Sequence, residues 1–302
     1  MSATIVGQLA CVVAATCWAV APIIYRRAMF NTSPIAANTI RCVSTAAVMV
    51  LVLLILGKGG VLTSLPLEVV VITVVSGVLG LIVGDTFYML GLRSVGVSVA
   101  GPLASTYPLF SMIWSTLFLG QTITATAIVG SLIIVAGIWL LSYGRGKDAV
   151  AKKGKFVLTG VAASMATSFV WSFSIILMDI AMGMPGVETL DANYALLVAR
   201  ILAMALIMLM LTPLADRKGA FLKMKRRTVL ELCIAGLVAN GIGWLLMNYS
   251  LMVLDSQAII ISSTTPLFST VAAFILFHEK ATWNKIAGAI VVVIGVALIF
   301  IV

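Results

Sequence analysis

Apolar runs of 18 residues or more recur along this chain from end to end, separated by short polar breaks. A run of that length crosses a hydrocarbon core about 30 Å thick. Inside hydrocarbon each segment must pair its own N–H and C=O groups, so such runs fold as helices. The chain is 10% charged, where soluble domains carry about 25%. The expected class is an all-α integral membrane protein, with no stretch left over for a soluble domain.

Other residue types narrow the chemistry. Cys11, Cys17, Cys42 and Cys233 sit within apolar segments without CxxC pairing, which argues against a disulfide framework and against zinc. His278 is the single histidine, so no histidine cluster can hold a metal. No metal or cofactor is expected. The net charge of +9 would suggest nucleic acid in a soluble protein; here it reads as membrane topology, with the bilayer and no nucleic acid as partner. The N-terminus lacks the basic n-region of a cleavable leader, and its apolar run is read as the first transmembrane helix.

Polar breaks give ten expected helices, at residues 4–25, 34–56, 69–92, 95–119, 124–142, 156–178, 192–213, 229–253, 256–277 and 282–302. The longer connections are 143–155, 179–191 and 214–228. Threaded through these spans, sixteen of the nineteen Lys and Arg residues fall on one side, including Arg93, Lys152 and Arg226. Lys58 alone falls on the other, and Arg41 and Arg200 lie within spans. Cytoplasmic loops concentrate positive charge, so both termini are expected to be extracytoplasmic, in a multi-pass protein of the cytoplasmic (inner) membrane.

The chain also repeats itself. Residues 105–111 read STYPLFS and residues 263–269 read STTPLFS, an offset of 158. A helical proline costs about 3 kcal/mol in water, so a phrase that carries it twice asks for a reason. At this offset residues 104–140 match 262–298 at 12 of 37 positions, Gly130/Gly288 and Gly137/Gly295 among them. An offset of 159 aligns Arg41 with Arg200, Gly77 with Gly236 and Gly84 with Gly243; an offset of 153 aligns Trp18 with Trp171. The matches keep their order, which indicates a tandem duplication: residues 1–142, a basic linker 143–155, and residues 156–302. Five helices per copy is an odd number, so the copies enter the membrane from opposite sides. Inverted repeats of this kind recur among secondary transporters, with the substrate site between the repeats near the midplane.

Pro108 and Pro266 each leave a carbonyl without its donor one turn back, near Ala104 and Ser262. Ser105, Thr106, Ser263 and Thr264 are placed to satisfy that backbone or to face a wet cavity. The plainer alternative is a packing kink whose hydroxyls bond to their own helix.

These features resemble the drug/metabolite transporter superfamily, in its ten-helix EamA-type branch. The resemblance rests on the two five-helix repeats, tryptophan in helices 1 and 6, arginine early in helices 2 and 7, prolines in helices 4 and 9, and Glu279 followed by Gly288 and Gly295. It covers the whole chain. It implies a basket-like bundle with a central cavity, and export of amino acids or related small metabolites. The sequence departs from the pattern at Gln121, where the second repeat has Glu279, and in its extracytoplasmic termini, which leaves the direction of transport open.

Asp85 is the one acid deep within a span. An ionised group there costs about 2.5–3.5 kcal/mol on insertion scales, so it should have a partner or a task. Eight residues separate it from Arg93, placing it about 12 Å from the inner face, a depth similar to that of Arg41. An Asp85–Arg41 ion pair and a carboxyl that exchanges a coupling proton are both open. Arg200, the repeat partner of Arg41, falls near the outer face, and either arginine can also snorkel. Asn240, Trp244 and Asn248 share one helix face, as do Asp85 and Tyr88. Trp18 and Trp171 lie well inside their spans. For these residues packing and cavity roles both remain open.

The expected function is a secondary transporter, working as a monomer on a small-molecule substrate, with the proton as candidate coupling ion. A membrane enzyme or sensor would need a catalytic set such as HExxH or a Walker loop, and the sequence has none. A channel would need a repeated filter or a ring of charge.

Overall fold

The computed structural model describes residues 2–28, 32–120, 122, 124–142, 155–215, 223–255, 257–262, 264–265, 267–268, 271 and 283–300. Ser263, Pro266, Gln121, His278, Glu279 and linker residues 143–154, all discussed above, lie outside these. Among the described residues every regular element is helical.

Among the described residues six helices are long and apolar enough to cross a membrane: Ala3–Tyr25, Pro34–Ile55, Leu67–Val95, Val157–Met182, Leu190–Leu214 and Arg226–Leu254. In chain order we label the elements α1 (Ala3–Ala28), α2 (Pro34–Ile55), α3 (Leu67–Val95), α4 (Val97–Ala104), α5 (Tyr107–Leu119) and α6 (Ala125–Ser142). They continue with α7 (Lys155–Met182), α8 (Leu190–Ala215), α9 (Arg226–Leu254), α10 (Gln257–Ser262) and α11 (Trp283–Phe300). The start of α2 is written in its sequence: the Ser33 side chain accepts the Ala36 N–H at 3.2 Å, and Pro34 opens the first turn. The outer faces are apolar, with Leu54, Leu117, Met210 and Leu230 exposed. Polar side chains such as Asn38, Thr167 and Asn240 are buried instead, the arrangement suited to a hydrocarbon surround.

The helix expected over 95–119 is divided. Gly96, at φ 78°, ends α3, and α4 stops at Ala104, where Ser105 and Thr106 form a turn before α5. Pro108 has no N–H to offer the Ala104 carbonyl, so the ladder cannot run through. The Thr106 hydroxyl instead caps the Leu103 carbonyl at 2.8 Å and meets the Ser168 hydroxyl of α7 at 2.9 Å.

Two further features recur at matched places. Residues Val78–Gly84 of α3 and Leu237–Gly243 of α9 are π-helical, at an offset of 159. A π turn splays carbonyls away from their own helix, and here side chains of crossing helices take them. Asn38 donates to Leu81 O at 2.5 Å, and Trp18 Nε1 donates to Ala239 O at 3.0 Å. Each π segment ends at a glycine pressed by a tryptophan. A Cβ on Gly84 would lie 2.6 Å from Trp171 Cδ1, and one on Gly243 would lie 2.7 Å from Trp18 Nε1. Glycines also set the approach of α6 to α11: a Cβ on Gly137 would lie 2.8 Å from Val292 N, and one on Gly295 2.8 Å from Gly130 O. Such small-residue contacts let backbones touch where no hydrophobic force between helices exists.

Candidate functional site

A cavity of about 110 Å³ lies where α1, α2, α3, α4, α5, α7 and α9 approach one another. Its wall is largely aromatic. Trp18 and Tyr25 come from α1, Tyr88 from α3, Tyr107 from α5, Trp171 from α7 and Trp244 from α9. Trp18 and Trp244 meet edge to face with centroids 5.5 Å apart, and Tyr88 tilts on Trp171 at 4.9 Å, geometries that aromatic quadrupoles favour.

Set into this wall is a buried charge network. Arg41 Nη2 donates to Asp85 Oδ2 at 2.9 Å and to Asn240 Oδ1 at 3.0 Å, and its guanidinium lies 4.2 Å over the Tyr25 ring. The second carboxylate oxygen, Asp85 Oδ1, accepts the Trp171 indole N–H at 2.9 Å. Tyr25 is itself fixed, its hydroxyl donating to Ala235 O at 2.9 Å. Taking two charges out of water is costly, and full hydrogen bonding at both carboxylate oxygens offsets that cost.

Arg200 is built differently. It is 0% exposed, donates from Nη2 to Ser174 Oγ at 2.9 Å and lies 3.9 Å over the Trp244 ring. Trp244 stands 159 positions after Asp85, so an indole face occupies the place that a carboxylate takes in the first half. Neither arginine snorkels. Arg41 is 3% exposed, because α8 and α9 enclose what an isolated helix would leave open.

The structure brings Trp18, Arg41, Asp85, Tyr88, Ser105, Trp171, Asn240 and Trp244 to the cavity wall. Thr106 is turned instead toward Ser168, and Thr264 caps its own chain at Ile261 O at 2.7 Å. Asn248, one turn beyond Trp244 on the regular α-helical part of α9, is buried away from the wall. Pro108 acts through the backbone at the first turn of α5. Sequence reasoning passed over Tyr25, Ser174, Tyr107 and Thr265. The last two carried a signal: they are the single mismatch between STYPLFS and STTPLFS, and both face the cavity. Among the described residues no group of His, Cys, Asp or Glu is placed to hold a metal.

Long apolar helices enclosing a small aromatic cavity with buried charge are the build of a multi-pass membrane transporter. The sequence matches the EamA-like transporter family over residues 5–143 and 158–301, and the chain belongs to that family. The resemblance to the drug/metabolite transporters read from its motifs therefore holds. An uncharacterized transporter from Archaeoglobus fulgidus is 25% identical over 287 residues, covering 95% of each chain. A protein known from its crystal structure has the same fold, with a TM-score of 0.74 at 18% identity over 99% of this chain and 96% of that one.

Proposed function

We infer that this protein is a secondary active transporter that moves amino acids or related small metabolites by alternating access around the central cavity. The observation that carries this reading is the cavity itself, walled by helices from both halves of the chain and holding a buried Arg41–Asp85 pair. In this reading ten helices cross the membrane as two inverted repeats, 1–142 and 156–302, joined by the basic linker. Support comes from features recurring at an offset of 159: the π segments, the tryptophan-pressed glycines and the paired arginines. Inversion gives the two halves similar energies in exchanged conformations, which is what opening to alternate sides requires.

Export from the cell, with the monomer as working unit and Asp85 as proton carrier, completes the proposal. Asp85 rests paired with Arg41 and takes a proton when the cavity opens and the pair separates. The test is counterflow in proteoliposomes. Exchange of labelled for unlabelled solute marks a carrier, whereas a channel gives none and an enzyme alters the solute chemically. Screening amino acids, nucleosides and organic cations for thermal stabilisation supplies the solute to use.

A further inference from the structure

Hydrogen bonding at the cavity wall, and just behind it at Arg200, is one-sided. Arg41 Nε, Arg200 Nε, Arg200 Nη1 and Asn240 Nδ2 are buried donors without an acceptor. The acceptors beside them are occupied: Asp85 by Arg41 and Trp171, and the Asn240 oxygen by Arg41. That last bond also fixes which end of the Asn240 amide remains free. Asn248, off the wall, lacks partners for both its oxygen and its nitrogen and so expresses no preference.

Charge is one-sided as well. Among the described residues two buried guanidiniums, Arg41 and Arg200, stand against one buried carboxylate, Asp85. Asp85 is committed to Arg41, and the Trp244 face offers Arg200 only its quadrupole. A buried cation calls for an anionic counterpart. What the site lacks is an acceptor with a negative charge.

We propose that the cavity takes an organic monoanion, a carboxylate on an apolar or aromatic body, with the Arg200 guanidinium and the Asn240 amide as its anion subsite. This rests on the carrier reading above and narrows its substrate class. A carboxylate is acceptor-only and fits the planar fork of a guanidinium with two parallel bonds. Arg200 is buried directly behind Ser174 and Trp244, both at the wall, so the anion must displace the Trp244 indole to reach it. Trp18, Tyr88 and Trp171 then bound the apolar body. Among the described residues a cationic substrate finds no free carboxylate at the cavity wall.

The test uses the full chain in detergent and four probes of similar shape: phenylacetate, phenylacetamide, phenethylamine and phenyl phosphate. Phenylacetate is expected to raise the melting temperature and to bind at least about tenfold tighter than the amide, since a charge-assisted pair is lost with the charge. Phenethylamine should give no shift. Arg200→Gln should abolish the preference for carboxylate over amide, while Arg200→Lys keeps part of it. Should Arg200→Gln fail to fold, the wild-type ranking decides alone. Amide or amine binding as tightly as the carboxylate overturns the proposal, as does silence from all four probes or an Arg200→Gln protein with its preference intact. Tighter binding of phenyl phosphate also overturns it, in favour of a phosphate ester. Counterflow separates this inference from the carrier reading. Exchange of amine without carboxylate leaves a carrier and removes the anion subsite; carboxylate binding without any counterflow keeps the subsite and removes the carrier.

Discussion

Arg41 and Asp85 form a buried ion pair, Nη2 to Oδ2 at 2.9 Å, with side chains 4% and 9% exposed. The pair and its partners come from four helices: Arg41 and Asn38 from α2, Asp85 from α3, Trp171 from α7 and Asn240 from α9. Both members are fixed, so removing either leaves the other desolvated and without its counter-charge.

Asp85→Asn is accordingly expected to destabilise the protein by about 3–5 kcal/mol. Adding Arg41→Gln should restore much of that loss, because the stranded cation goes with it. Melting curves of the two variants decide the matter, and full stability of Asp85→Asn would refute the structural role of the pair. If Asp85 also carries the coupling proton, the double variant should exchange substrate yet fail to respond to a pH jump.

The two tryptophan-pressed glycines give a matched pair of substitutions. Gly84→Ala and Gly243→Ala each place a Cβ less than 3.0 Å from an indole. Overpacking of this kind costs about 1–3 kcal/mol, and both should fall in that range. Gly60, helical and with nothing within 4 Å, is the control: Gly60→Ala should be neutral or slightly stabilising. A melting temperature unchanged by Gly84→Ala would show that Trp171 yields.

Pro108→Ala returns an N–H that can reach the Ala104 carbonyl, so the break between α4 and α5 should tend to close. If paired prolines act as gates in inverted repeats, Pro266→Ala should bias the inward/outward balance in the opposite sense. Accessibility of a cysteine placed at Ser105, which lines the cavity, reports the balance. Shifts in one direction for both variants, or no shift, would leave the prolines as kinks alone.

Orientation is testable from the charge distribution. In a cysteine-free background, cysteines at Ala151 and Ala220 should resist impermeant maleimide in intact cells, whereas one at the exposed Gly60 should label. Lys58 and Asp191 pair on the Gly60 side, and the opposite labelling pattern would invert the topology.

Outside the spans, the Gly186 N–H lies 3.0 and 3.1 Å from the two Glu188 carboxylate oxygens and holds that carboxyl below its ordinary range. A lowered folded-state value makes its contribution present above the unfolded pKa of about 4.3 and lost as pH falls through the folded value. Glu188→Gln should therefore lower the melting temperature slightly at pH 7 and by less at about pH 3. Equal effects at both pH values would dissociate the loop from this carboxylate.

The membrane class, the family and the residues worth testing were legible in the chain, because hydrocarbon leaves a long apolar run one way to satisfy its backbone and makes each polar exception costly. The paired glycines at 77 and 84, and at 236 and 243, even bracket the π segments. Nothing local announced those segments, since a wider turn persists only while Asn38 or Trp18, on another helix, takes the freed carbonyl. At the break before Pro108, which the proline itself announces, only the fold brings Ser168 of α7 to the Thr106 hydroxyl. Most of all, sequence depth set Asp85 level with Arg41 and left their pairing open, and it offered Arg200 no partner. Only the folded arrangement gave Arg41 a carboxylate and Arg200 an indole, because which partner a buried charge meets depends on the helix that crosses it and not on its own neighbours.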